Sequence, residues 1–186
     1  MMSDKIDFKF IGELEGGSKV EGYVPAASVS KSGVTIATGF DLGQRGESDL
    51  KSLKLSSDLI DKLKPYLGVK SKEAQALLKK TPLTISRKQA TEIDKAVKSS
   101  HVKKLVDKYN KASVNKKKFS ELPAQAQTVI ASVSFQYGTN LSSRAPKFWK
   151  AVTSQDWPET TKILKKFGDT YPTRRKKEAA LMEKIK

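Results

Sequence analysis

A mainly helical α+β fold, with a small β-hairpin lobe and a larger helical lobe, is expected from three features of this chain. Residues 18 to 43 are rich in Gly and β-branched side chains, and nearly everything beyond Asp49 has helical periodicity. The length of 186 residues suits one core or two lobes joined by a helix.

Ile6, Phe8, Phe10, Ile11 and Leu14 mix strand and helix spacing ahead of Gly16-Gly17, a natural stop, so a short helix is expected with Glu15 in its last turn. Strands are expected at Tyr23-Val24-Pro25 and along Val34-Thr35-Ile36-Ala37-Thr38-Gly39-Phe40. Leu50, Leu53, Leu55, Leu59, Ile60, Leu63 and Leu67 then run helically to Gly68, and Ala74, Leu77 and Leu78 mark another short helix. Ser86-Arg87-Lys88-Gln89 fits a capping box, in which the Ser and Gln side chains each take an unpaired backbone N–H. It opens a long amphipathic run through Tyr109, suited to linking two lobes, with Ser99-Ser100 as its weak point.

Lys116-Lys117-Lys118 reads as a solvated turn, and Pro123 suits the first turn of a helix that ends at Gly138. This least charged stretch is the expected core helix. Pro146 and Pro158 start two more helices, and the last is expected from Arg174 to Ile185. With no internal repeat and no low-complexity linker, residues 1–186 read as one domain. Its lobes are expected at about 16–85, and at 1–15 with 86–186.

Thirty-six Lys and Arg against 20 Asp and Glu leave a net charge of +16, enough to attract polyanions such as nucleic acid, anionic membrane or an acidic cell wall. Most of the cations are dispersed Lys, which favours general attraction over specific nucleic-acid reading by the Arg fork. Cysteine is absent, which excludes disulfides, thiolate nucleophiles and Cys-based zinc sites. The start, Met1-Met2-Ser3-Asp4-Lys5, lacks the pattern of a secretory signal, and no segment is apolar for long enough to span a membrane. The single histidine, His101, lies in a Lys-rich helix and reads as a surface residue, so Ser-His-Asp and metal hydrolysis have no anchor.

Carboxylate chemistry is left, and it needs neither cofactor nor metal. The Gly-rich region from 12 to 46 holds Glu13, Glu15, Glu21 and Asp41. Two carboxylates flanking a glycosidic bond suffice, one protonating the leaving oxygen and the other activating water or stabilising the cationic centre. Glu15, beside Gly16-Gly17, fits a cleft-edge acid or a solvent-facing helix end. Thr35 and Asp41 interrupt a stretch otherwise apolar or Gly-rich, and the small neighbours Ala37 and Gly39 leave room beside the Thr35 hydroxyl on one strand face.

Leu14-Glu15-Gly16, Gly22-Tyr23-Val24-Pro25 and the stretch from Ser32 to Gln44 together resemble the muramidase domain of pesticin and the pesticin-like lysozymes, distant relatives of the T4-type phage lysozymes. Phe135-Gln136-Tyr137-Gly138, Phe148-Trp149, Trp157 and Tyr171-Pro172-Thr173-Arg174-Arg175 resemble the helical lobe of the same group. The resemblance implies a lysozyme-like fold and cleavage of the β-1,4 bond between N-acetylmuramic acid and N-acetylglucosamine in peptidoglycan. It implies Glu15 as general acid, Thr35 as the residue orienting water or backing the sugar, and Asp41 as second carboxylate, with Glu13 the runner-up acid. In the T4 type the second carboxylate lies between the Glu and the Thr, where this chain offers only Glu21, so Asp41 follows the pesticin-type placement.

Gln136, Tyr137, Tyr171 and Arg174 are candidates to line the sugar cleft, each with a core or surface reading beside it. The implied setting is the periplasm or wall of a bacterium, reached through a secretion system, receptor import or a phage holin. An immunity protein is expected only for a toxin or effector, a monomer is the default, and no specific nucleic acid is expected. A non-catalytic, basic binder of polyanions or cell wall is the alternative, since it too would explain the charge.

Overall fold

The computed structural model describes residues 5–15, 17–25 and 31–186. Gly16 and the opening residues Met1 to Asp4, on which part of the sequence reading rests, lie outside them. Among the described residues no helix is long and apolar enough to cross a membrane. The chain divides into two compact units, one of Glu15–Ser100 and the other of Met1–Leu14 with His101–Lys186.

The first helix, α1 (Phe8–Leu14), buries Ile11 and is a member of the second unit, where the backbone N–H of Asp7 donates to Thr128 Oγ1 at 2.9 Å. It ends one residue before Glu15, which stands in a turn and not in the helix as expected.

The Glu15–Ser100 unit carries an antiparallel sheet of order β1-β2-β3, from β1 (Lys19–Tyr23), β2 (Thr35–Ala37) and β3 (Phe40–Asp41). Two expected strand positions are corrected here. The first strand ends at Tyr23, ahead of Pro25, whose missing N–H cannot join a ladder. The stretch from Val34 to Phe40 is a tight hairpin and not one strand, because Ala37 (φ 55°) and Gly39 (φ 69°) reverse the chain. On the far side of β1, Gly22 N–H donates to Leu83 O at 2.8 Å and Ile85 N–H to Val20 O at 2.9 Å.

A 3-10 turn (Leu42–Gln44) leads to α2 (Glu47–Ser52), α3 (Ser57–Leu63) and α4 (Ser71–Lys80). The periodic run from Leu50 to Leu67 is therefore interrupted, at Lys54 with φ 58°. Ile36, Phe40, Leu42, Leu50, Leu59, Leu63 and Ile93 form the core of this unit. Each such side chain removed from water contributes about 1.5–3 kcal/mol.

Helix α5 (Arg87–Ala112) begins with the expected capping box, Gln89 N–H to Ser86 Oγ and Ser86 N–H to Gln89 Oε1, both 3.0 Å. It runs unbroken through Ser99-Ser100, so the division falls inside the helix at 100/101, not at the expected 85/86. Its first part gives Ile93 to one core and its second part gives Val102, Leu105 and Tyr109 to the other.

The second unit is completed by α6 (Ala124–Tyr137), α7 (Leu141–Arg144), α8 (Pro146–Thr153), α9 (Trp157–Lys165) and α10 (Pro172–Met182). As expected, α6 is the core helix, buried continuously from Ala126 to Ser134 and ended by Gly138 at φ 85°. Tyr109 anchors α5 by donating its hydroxyl to Val152 O at 2.6 Å. His101 corrects the surface reading. It is half-buried, its ring 4.6 Å from that of Phe135 and its Nε2 2.9 Å from Ser134 Oγ.

Candidate functional site

Thr35 and Asp41 are directly opposite each other across the β2–β3 pair. Both hold the backbone of Gly33. The Asp41 Oδ1 accepts the N–H of Gly33 and that of Gly43, each at 2.9 Å, while the Thr35 hydroxyl donates to Gly33 O at 3.2 Å. Asp41 is also the N-cap of the 3-10 turn, so one oxygen is occupied by backbone donors. Its Oδ2 makes no hydrogen bond with the described residues and stays open to a further donor.

The backbone beneath this pair has no slack. A Cβ on Gly33 would lie 2.2 Å from Val69 O and 2.5 Å from Gly43 Cα, and one on Gly43 would lie 2.7 Å from Gly33 Cα. Glycine at both positions is what allows the close approach that presents both amides to Asp41.

The open space expected beside the Thr35 hydroxyl is absent. Thr35 is only 3% exposed and Ala37 is fully buried, because β2 is the central strand and its side chains are covered. Gly39 sits in the turn and not on the strand face. A hydroxyl that donates to Gly33 O keeps a lone pair, so Thr35 can accept a hydrogen bond but not offer a second one.

Glu15 is half-buried and belongs to the same unit as Thr35 and Asp41. Glu13 is exposed in α1 and Glu21 exposed on β1, and neither shares the Gly33 arrangement.

The four cleft candidates all lie in the other unit and have different surroundings. Tyr171 is half-exposed, ahead of α10. Gln136 and Tyr137 close α6 and are half-buried. Arg174 is 8% exposed and donates to Ser132 O at 2.8 Å and to Ser132 Oγ at 3.1 Å, so of its core and surface readings the structure gives the core one. It nonetheless borders, with Tyr171, Glu13 and Lys177, a shallow pocket of about 300 Å³.

A buried ionic network, missed in the sequence, joins several of these residues. The Tyr137 hydroxyl donates to Asp169 Oδ2 at 2.7 Å, Arg175 reaches Asp169 at 3.4 Å and Glu178 at 2.7 Å, and the Ser132 hydroxyl donates to Glu178. Burial, together with the Asp169 carboxylate, pushes the Tyr137 hydroxyl up to about 12. Burial also raises the Glu178 carboxyl, against the pull of Arg175. The signal in the sequence is the spacing of Arg174 and Arg175 at four and three residues before Glu178, which places all three on one face of α10. An amphipathic reading assigns that face to solvent.

A sequence model of the pesticin family, described as bacterial toxin homologue of phage lysozyme, C-term, matches residues 5–158. That span includes most of the chain and the whole Glu15, Thr35 and Asp41 region. The chain belongs to this family. A comparison with curated proteins gives no match. The fold agrees with the membership, being mainly helical with one small antiparallel sheet, and the family suggests a lysozyme-like peptidoglycan hydrolase, a glycosidase.

Proposed function

We propose that this pesticin-family chain is an N-acetylmuramidase that cleaves the β-1,4 bond between N-acetylmuramic acid and N-acetylglucosamine. The observation that carries the reading is the Thr35–Asp41 pair clasping Gly33, within the stretch matched to the phage-lysozyme homologues. In this mechanism Glu15 protonates the glycosidic oxygen as the bond breaks. Asp41, with Oδ1 held by two amides, uses Oδ2 to take a proton from the attacking water or to stabilise the oxocarbenium-like centre. Thr35, buried with its hydroxyl on Gly33 O, backs the reacting sugar from beneath by holding the Gly33 backbone that Asp41 also grips. Tyr171, Gln136, Tyr137 and Arg174 serve the sugar strand, Tyr171 by contact and the buried Arg174 by holding the surface beneath. The enzyme acts as a monomer on the wall of a target or host bacterium after delivery as a toxin, effector or phage lysin. An immunity protein accompanies it in the first two settings.

The test is digestion of isolated sacculi by the wild type and by Glu15→Gln, with products read by mass spectrometry. Disaccharide-peptides with a reducing N-acetylmuramic acid end are expected from the wild type alone. Undigested glycan with tight sacculus binding would replace this reading with a non-catalytic wall binder, which the +16 charge also accommodates.

A further inference from the structure

In the helical unit, a cavity of about 480 Å³ opens between the α7–α8 corner and α9. Arg144 and Lys147 border it on one side, Lys162 and Lys166 on the other. All four are exposed, and among the described residues no ion pair engages any of them, whereas the neighbouring Lys165 is paired with Glu183. Glu159 is the single carboxylate at the rim. Four cations of like sign around one cavity repel each other until an anion enters, so the rim favours a ligand with more than one negative charge.

The floor has a different chemistry. Phe148 is buried, and Ile163 and Phe167 are half-buried, so the base of the cavity is aromatic and aliphatic. No Ser, Thr, Asn, Gln or Tyr lines the cavity, and Pro146 at its edge has no N–H to give. A peptide or a sugar placed there would leave its N–H or O–H donors with Glu159 as the single side-chain acceptor lining the cavity, at a cost in free energy. An alkyl chain would not. The spacing on α9 unites both chemistries, because Glu159 stands three and four residues before Lys162 and Ile163 on one helix face, and Lys166 follows as the C-cap residue.

We propose that this cavity is a binding site for an anionic amphiphile, a lipid with a phosphate headgroup held by Arg144, Lys147, Lys162 and Lys166 and its first chain carbons on Ile163 and Phe167. The site is separate from the glycosidase reading and needs no hydrolysis. It gives the enzyme a hold on the anionic membrane surface that borders its substrate.

Isothermal titration calorimetry with soluble dihexanoyl phosphatidate tests it, on the wild type, on Lys162→Gln/Lys166→Gln, and on Lys79→Gln/Lys80→Gln as a control of equal charge loss in the other unit. The cavity variant is expected to bind about tenfold more weakly or worse, with the control within about twofold of wild type. Ile163 methyl resonances should shift on binding. Equal affinity for inorganic phosphate would overturn the amphiphile in favour of a plain anion site. Equal affinity for dihexanoyl phosphatidylcholine, or no effect of the cavity variant, would remove the role of the cations. A peptidoglycan stem tetrapeptide binding more tightly than phosphatidate would reassign the cavity to wall peptide. Because the readout is binding, it stays interpretable even if the sacculus digestion fails.

Discussion

Because one oxygen of Asp41 receives the backbone N–H groups of both Gly33 and Gly43, substitutions there separate structure from chemistry. Asp41→Asn keeps an acceptor for the amides but loses the charge, so turnover on sacculi is expected to collapse while the urea midpoint barely moves. Asp41→Ala loses the cap as well and is expected to cost about 1–2 kcal/mol of stability. Retained turnover in Asp41→Asn would make this residue a cap and nothing more. His101 allows a second prediction. The Ser134 hydroxyl donates to Ala131 O, so its oxygen accepts from Nε2–H of a neutral His101. Burial, helped by Lys104, lowers the His101 pKa to about 4, below its unfolded value near 6.5. The unfolded chain therefore takes up the proton first, and the stability contributed by neutral His101 is lost as pH falls from about 6.5 towards 4. Denaturation midpoints at pH 7 and 4.5 should fall further for wild type than for His101→Gln. Parallel falls would show that carboxylates alone set the acid sensitivity.

At the scale of elements, α10 is held by charge in a place where apolar contact is the usual means. Glu178→Ala would leave Arg174 and Arg175 buried opposite an empty site, and breaking a buried pair in this way costs about 3–5 kcal/mol. Chemical denaturation should show that loss, and a change under about 1 kcal/mol would mean that water reaches the guanidinium groups. The same helix marks where the sequence stops being legible. α5, α6 and α8 were readable because a capping box, a Pro or a closing Gly combines with an apolar period, and each of these is a local signal. The buried face of α10 depends on Asp169, Ser132 and Tyr137 arriving from outside the helix, which periodicity does not record. The hairpin was partly legible for a related reason. Its residues announce small and β-branched side chains, but the turn at Ala37 to Gly39 needs a positive φ at an alanine, which composition does not reveal. Thr35, Asp41 and Glu15 can be named from the sequence as candidates. That Gly33 is the point both Thr35 and Asp41 grasp cannot be, since it depends on Val69 and Gly43 closing over it.

For the whole molecule, a net charge of +16 on a chain whose proposed substrate bears peptide carboxylates makes ionic strength a direct control. Screening shortens the reach of these charges from about 10 Å at 0.1 M salt to about 3 Å at 1 M. Sacculus binding measured by co-sedimentation should weaken steadily as NaCl is raised, and a salt-independent bound fraction would locate the affinity in uncharged contacts. The pairing of α1 with the helices beyond residue 101 reaches further, into how the chain is made. Residues 15–100 are contiguous, so the sheet-bearing unit has its whole sequence once that stretch leaves the ribosome. Helix α1 emerges earlier, yet Thr128, which Asp7 must meet, is synthesised more than a hundred residues later. Helix α1, made well before its partners, is thus among the last elements to find its place, and until then Ile11 is an apolar surface for a chaperone to cover.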